Sequence, residues 1–77
     1  MNNELGKQVC RKLDYFYKNK IPVHFSLISG GWKNGEILDL DEKKLTFVLK
    51  ENVEGELLFL CEEIDLDSIN KFKEKEK

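Results

Sequence analysis

The feature that most constrains the fold is a change in apolar period at Pro22. Before Pro22, apolar residues recur at helical spacing. After it they alternate with polar residues, as they do along a strand with one buried face. The residue before a proline is disfavoured in the helical conformation, so Pro22 is expected to stop the helix. This change predicts a chain that begins with one helix and continues as short strands.

The predicted helix spans residues 4–18. Its apolar residues fall at i, i+4, i+8 and i+11 and form one stripe: Leu5, Val9, Leu13 and Phe16. Gly6 is expected to weaken the first turn, because glycine is a poor helix former.

Five strands joined by tight turns are predicted after Pro22, at residues 23–28, 32–40, 45–50, 56–61 and 64–69. Gly35 lies inside the second strand, where a glycine usually marks a sharp bend or a close backbone approach. Five strands with a bent second strand favour closure, since closure removes most unpaired edges. The predicted class is mainly β: an N-terminal helix followed by a strongly bent, five-stranded antiparallel sheet that forms a small barrel.

The domain organisation follows from these elements. One domain is expected over residues 1–70, with the barrel at 21–70, and residues 71–77 are expected to be a charged, flexible tail. The fourth strand is apolar on both faces at residues 57–60, which is typical of a strand whose outer face a neighbouring subunit covers. A chain of 77 residues buries only a modest core, so oligomerisation is the expected additional source of stability.

Composition excludes several classes of function. The formal net charge of −2 argues against avid binding through phosphates alone. Two cysteines, Cys10 and Cys61, and one histidine, His24, cannot form a zinc site of the usual spacing, so neither metal nor cofactor is expected. The cysteines are interpreted as buried thiols, with a disulfide as the alternative. No signal-peptide h-region or membrane span is apparent, so a soluble cytoplasmic protein is expected.

The stretch "KIPVHFSLISGGWKNGEILDLD" resembles the Sm/Lsm family and, within it, the Hfq branch of bacterial RNA chaperones. The shared elements are "IPV" after the helix, "L-I-x-G" at the end of the first strand, and Gly30 followed by Gly35. Asp41, six residues after Gly35, matches the aspartate that closes the second strand in that family. The likeness covers roughly residues 4–70.

The resemblance implies a homo-oligomeric ring of six or seven subunits in which the fourth strand of one subunit pairs with the fifth of the next. It also implies single-stranded RNA as the ligand. The usual base pocket is altered, however, because residues 41–44 contain neither an aromatic residue nor an asparagine, and Cys61-Glu62 replaces the usual basic pair. A protein-interaction or assembly module that has lost RNA binding is therefore the alternative function.

Four residues make up the predicted RNA-binding set: Trp32, Asp41, Lys43 and Lys44. Only Asp41 comes from the resemblance. Trp32 is a candidate for base stacking, although large aromatics also cover barrel ends and subunit seams. The two lysines are candidates for phosphate contacts or are simply solvated. His24 is interpreted as an outward strand residue, and because no catalytic motif accompanies it, we do not expect an enzyme.

Overall fold

The computed structural model describes residues 4–72 and consists of a helix and a five-stranded antiparallel sheet. The elements are α1 at Glu4–Lys18, β1 at Val23–Ser26, β2 at Trp32–Asp41, β3 at Thr46–Glu51, β4 at Gly55–Leu60 and β5 at Asn70–Lys71, with short 3₁₀ helices at Cys61–Glu63 and Leu66–Ser68. This confirms the predicted mainly β class with an N-terminal helix. None of the helices in the described range has the length and hydropathy needed to span a bilayer. Residues 73–77 of the predicted tail lie outside the described residues.

Helix α1 has the predicted bounds, but its buried face differs by one position. Its buried residues are Gly6, Val9, Cys10, Leu13 and Phe16. Leu5, which was predicted to belong to the apolar stripe, is instead 41% exposed. Gly6 takes its place because the helix passes close to Leu45, where a Cβ at Gly6 would lie 3.2 Å from Leu45 Cδ1. Glycine permits this close contact between the helix and the start of β3.

The helix ends through its own C-terminal turn, ahead of the proline that was predicted to stop it. The Ile21 amide donates to the Phe16 carbonyl at 2.9 Å, and the Lys20 amide donates to the Tyr17 carbonyl at 3.3 Å. Lys20 adopts a left-handed conformation with φ 55°. This pair of bonds is the Schellman arrangement, which satisfies carbonyls at a helix end and turns the chain.

The sheet has the order β4-β3-β2-β1-β5. Strand β2 pairs with β1 through residues 32–35 and with β3 through residues 36–41, so it belongs to both halves of the sheet. A register shift between Ile37 and Asp39 adds a bulge to β2. Among the described residues the sheet is open, with β4 and β5 at its edges, and the predicted closure into a barrel is not seen.

Gly35 lies at the junction between the two halves of β2. A Cβ at this position would overlap the Lys50 carbonyl oxygen of β3 and lie 3.0 Å from the carbonyl carbon. The predicted close backbone approach at Gly35 is confirmed, and it lets β3 come close where β2 passes from one partner strand to the other.

The fifth strand was predicted incorrectly. Residues 64–69 contain only one isolated bridge, between Ile64 and Leu27, followed by the second 3₁₀ helix, and β5 begins at Asn70. The Asp65 carboxylate accepts from the Asp67 amide at 3.2 Å, and the Ser68 hydroxyl donates to the Asp65 carbonyl at 2.7 Å. These local side-chain bonds compete with strand pairing, so the chain makes a tight turn before it joins β1.

The core lies between α1 and the inner face of the sheet. Three aromatic rings pack together, the buried Phe25 and Phe47 with the partly buried Phe59, with centroid separations of 5.6 Å for Phe25–Phe47, 5.6 Å for Phe25–Phe59 and 5.5 Å for Phe47–Phe59. The residues that surround these rings are Val9, Cys10, Leu13, Phe16, Val23, Ile37, Leu49, Cys61, Ile64 and Ile69.

Strand β4 has two apolar faces, as predicted. Phe59 faces the core, whereas Leu58 is 69% exposed and Leu60 is 41% exposed on the other face. Strand β4 is also an edge of the sheet, so the backbone N–H and C=O groups on its outer edge pair with no neighbouring strand among residues 4–72. The exposed apolar side chains of β4 lie beside these groups.

Candidate nucleic-acid interface

An exposed aromatic pair lies on the outer face of β1 and β2. Trp32 pairs with Ser26 in the β1–β2 register, and His24 pairs with Asn34, so Trp32 and His24 are diagonal neighbours on one face. Their ring centroids are 5.6 Å apart with an interplanar angle of 41°. Trp32 is 62% exposed. The indole is thus held against the imidazole while most of its surface remains open to solvent.

This face forms because the core side of the hairpin is occupied by other residues. Val23 and Phe25 point inward and are fully buried, so the alternation of the strand directs His24 and Ser26 outward. The turn between the strands is closed by the Leu27 amide, which donates to the Gly31 carbonyl at 3.0 Å. Trp32 follows this turn directly and returns along β1.

Amide side chains accompany the aromatic pair. His24 is flanked by Asn34 on β2 and by Asn70 on β5 in the sheet register. Asn34 also lines an open cleft of about 360 Å³, whose other residues are Pro22, Gly35, Glu36, Lys50, Asn52 and Phe72. Carboxamide groups both donate and accept hydrogen bonds, as the edges of nucleobases require. The outer face therefore offers an exposed stacking ring next to groups that can bond a base edge.

The residues predicted around Asp41 form a separate region. The Asp41 carboxylate accepts from the backbone amides of Lys43 at 3.0 Å and Lys44 at 3.1 Å. The hydrogen bond from the Lys44 amide, followed by that from Lys43, lowers the pKa of Asp41 below its usual value. Asp41 therefore holds the turn that presents Lys43 and Lys44, and both lysines are exposed.

A cavity of about 300 Å³ separates this turn from helix α1. Its lining combines both charges with a thiol and an apolar side chain: Lys7, Cys10, Arg11, Asp14, Glu42 and Leu45. Because two cations and two carboxylates line this cavity, it is expected to favour neither anions nor cations as ligands.

The structure therefore divides the four predicted RNA-binding residues into two regions. Asp41, Lys43 and Lys44 come together in one turn, whereas Trp32 begins β2 at the end opposite Asp41. Nine steps along a strand correspond to about 30 Å of chain path.

His24 was predicted only as an outward residue, and its partnership with Trp32 was missed. The signal for it was the spacing of the two residues about the Ser29-Gly30-Gly31 turn, which makes them diagonal neighbours in a hairpin.

Metal-binding geometry is not found among residues 4–72, where no group of three or more His, Cys, Asp or Glu side chains is positioned to hold an ion. In the first 3₁₀ helix, Cys61 is buried and Glu62 is exposed at the two positions that the Sm/Lsm resemblance aligns with a basic pair, and Glu63, which follows them, is also exposed. Comparison of the chain with family models, curated proteins and solved structures gave no match in any of the three.

Proposed function

We propose that this chain is a ring-forming, Sm-like protein that binds single-stranded RNA on the outer face of β1 and β2. The observation that carries the proposal is the Trp32–His24 pair, an indole that is 62% exposed and braced by a second ring. A large aromatic side chain in this state is a suitable platform for an unstacked base. Base–aromatic stacking contributes about 1–3 kcal/mol per base and tolerates any base, because every base has a π face.

The groups around Trp32 favour binding of single-stranded RNA over binding of a duplex. Sequence-dependent RNA recognition uses splayed bases that stack on aromatic rings and form hydrogen bonds through their edges. Asn34 and Asn70 lie on the same face as His24, one on each side of it. Lys33 does not join this site, because its ammonium donates to the Glu54 carboxylate at 2.9 Å. Stacking and amide contacts are therefore expected to contribute more than phosphate attraction.

The open sheet supports assembly into a ring. In the proposed arrangement, β4 of one subunit pairs with β5 of the next, so that the two edge strands of each sheet gain a neighbouring strand. Leu58 and Leu60 would then be covered on the outer face of β4, where the single chain leaves them exposed. Six or seven subunits are the ring sizes that the Sm/Lsm resemblance implies.

RNA binding is tested by fluorescence anisotropy with short labelled oligoadenylate and oligouridylate at low and moderate salt. Trp32→Ala is expected to weaken binding by about 5- to 150-fold, corresponding to the loss of one stacked base. Tyr15→Ala is the matched control, since Tyr15 is an aromatic residue of similar exposure, 60%, on helix α1. Equal losses in the two variants, or no binding by the wild type at low salt, would contradict the proposal.

Assembly is tested separately by native mass spectrometry and light scattering of the full chain. The double variant Leu58→Glu/Leu60→Glu is expected to dissociate the ring while the helix and sheet remain folded, because both side chains are exposed in the single chain. A wild-type monomer would remove the ring from the proposal without bearing on the Trp32 site.

A protein-interaction or assembly module without RNA binding is the second candidate, and the distribution of charge favours it. Residues 21–72 carry many more carboxylates than cations: Glu36, Asp39, Asp41, Glu42, Glu51, Glu54, Glu56, Glu62, Glu63, Asp65 and Asp67 against Lys33, Lys43, Lys44, Lys50 and Lys71. Such a surface repels phosphate. A ring of constant mass that binds none of the oligonucleotides would favour this candidate.

A further inference from the structure

Two cysteines that are 51 positions apart in the sequence meet beneath helix α1. Cys10 is 4% exposed and Cys61 is fully buried. Both are free thiols of the same buried core cluster, and each side chain is among the groups that shift the pKa of the other. The RNA site on β1 and β2 involves neither residue, so this thiol pair has no part in the proposed function.

The two thiols are held by elements whose positions are fixed independently of them. One helical turn before Cys10, a Cβ at Gly6 would lie 3.8 Å from the Glu62 amide nitrogen, so the helix passes directly over the first 3₁₀ helix. On the other side, the Cys61 amide donates to the Leu45 carbonyl at 2.8 Å. The backbone therefore holds the two cysteines on facing elements, and disulfide formation requires their side chains to bring the sulfurs to about 2.0 Å.

Access from solvent differs between the two thiols. Cys10 lines the cavity of about 300 Å³ beside Lys7 and Arg11, whereas Cys61 is enclosed in the core. A small reagent that enters this cavity reaches Cys10 first. Cys61 is then positioned behind Cys10 to react with whatever forms there.

We propose that Cys10 and Cys61 are a reversible redox pair, converted by a small-molecule disulfide such as oxidised glutathione into an intramolecular disulfide. In the first step, the Cys10 sulfur attacks one sulfur of the reagent, the reagent's S–S bond breaks, and one glutathione leaves with the Cys10 proton. In the second step, the Cys61 sulfur attacks the Cys10 sulfur and releases the second glutathione with the Cys61 proton. Two thiols are oxidised and one glutathione disulfide is reduced to two thiols.

The surroundings of the pair make this exchange slow. Burial, followed by the nearby negative charge of Glu42, raises the pKa of Cys10. Burial also raises the pKa of Cys61 to about 12. Since the thiolate is the attacking species, little of either cysteine is reactive at neutral pH. The pair therefore responds to a sustained change in redox conditions, and brief exposure leaves it reduced.

The bond would fasten helix α1 to the segment that directly follows β4. A disulfide between elements already in place restricts the unfolded chain far more than the folded one. Its structural effect is to hold the helix against the sheet and to suppress opening of the helix from the end of β4.

Equilibration of the full chain in glutathione redox buffers tests this proposal. Acid quenching, alkylation and intact-mass measurement then give the fractions of thiol, glutathione adduct and internal disulfide. These fractions give the effective concentration of one thiol towards the other. This effective concentration is expected to be about 30- to 800-fold higher in the folded protein than in urea. Equal values in the two states, or an adduct that never proceeds to the internal disulfide, would overturn the proposal.

Single variants test the order of the two steps. Cys61→Ser is expected to accumulate a glutathione adduct on Cys10, whereas Cys10→Ser is expected to leave Cys61 unmodified under folding conditions. Modification of Cys61 in Cys10→Ser at the rate seen for Cys10 in Cys61→Ser would overturn this order.

Oxidation of the wild type is expected to raise Tm, and a reducing agent is expected to restore the original value. An unchanged Tm would show that the bond does not stabilise the fold.

Discussion

Gly35→Ala is expected to destabilise the fold more than any other glycine-to-alanine change in the sheet. The added methyl group would overlap the Lys50 carbonyl oxygen, which belongs to the backbone of β3 and cannot rotate away. Strands β2 and β3 must therefore separate at the point where β2 passes from one neighbour to the other. The substitution tests whether this junction requires the close approach of two backbones.

Beyond the backbone strain that a side chain meets at φ 159°, the expected cost is the sum of two effects. Forcing an extra methyl group into a packed site costs about 1–3 kcal/mol. Lengthening an adjacent backbone hydrogen bond adds about 1 kcal/mol. A total of about 3 kcal/mol is large for a chain of this size, whose whole stability is expected to be about 4–12 kcal/mol at 0.05–0.15 kcal/mol per residue. At 4–8 °C per kcal/mol, Tm is expected to fall by about 12–24 °C.

Gly55→Ala is the matched control. Gly55 has φ 84°, and a Cβ there would meet no atom within 4 Å, so alanine incurs only the backbone cost of about 1 kcal/mol. Thermal and urea unfolding followed by circular dichroism compare the two variants at one protein concentration, because assembly would raise Tm by mass action. Destabilisation of Gly35→Ala by the same amount as Gly55→Ala, within about 0.5 kcal/mol, would refute the close approach.

Three further substitutions test other parts of the structure. Phe25→Ala removes a fully buried ring from the aromatic centre of the core, and urea unfolding is expected to show a loss of about 3–5 kcal/mol; a loss below about 1 kcal/mol would contradict this packing. The lowered pKa of Asp41 means that its stabilisation is present at neutral pH and is lost as the pH falls below 3.8 and through the folded-state pKa. Asp41→Asn is therefore expected to be less stable than the wild type at neutral pH and to lose less stability on acidification, and parallel pH profiles of unfolding would contradict this. Lys43→Ala/Lys44→Ala is expected to leave both Tm and the salt slope of RNA binding unchanged, because these exposed lysines lie in a turn separate from the Trp32 face; a slope reduced by about 0.7 per lysine would bring this turn into the binding site.

Elements whose boundaries are set by residues nearby in the sequence could be predicted from the sequence alone. The bounds of α1 followed from its apolar spacing, and the turn at residues 41–44 followed from the strands predicted on either side of it. Which of Leu5 and Gly6 lies on the buried face of the helix could not be predicted in this way. An apolar periodicity allows either residue to be placed on the buried face, and the choice depends on how closely Leu45 approaches, which is a tertiary contact.

The error at the fifth strand had a local cause that the alternation of apolar residues concealed. Ile64 and Leu66 alternate as strand residues do, but Asp65 and Ser68 form hydrogen bonds with the backbone beside them. Alternation indicates which side chains face inward, and it does not register competition for backbone groups.

The candidate site was only partly predictable for a similar reason. Asp41 was chosen through a family resemblance, and the structure shows its carboxylate occupied by the amides of its own turn. Trp32 was chosen for its chemistry alone. Its partner His24 becomes apparent only when the hairpin register is known, because the pair is formed across two strands.

The division of β2 between two partner strands has a consequence for the order of folding. The meander of β2, β3 and β4 joins neighbours in sequence, so only short loops must close before it forms. The pairing of β5 with β1 instead joins residues 70–71 to residues 23–24, across most of the chain. Contacts between residues this distant form late, since a long loop must close first. Refolding should therefore protect the amides of β3 and β4 against hydrogen exchange before those of β5, with the register at Gly35 already established when the last strand docks.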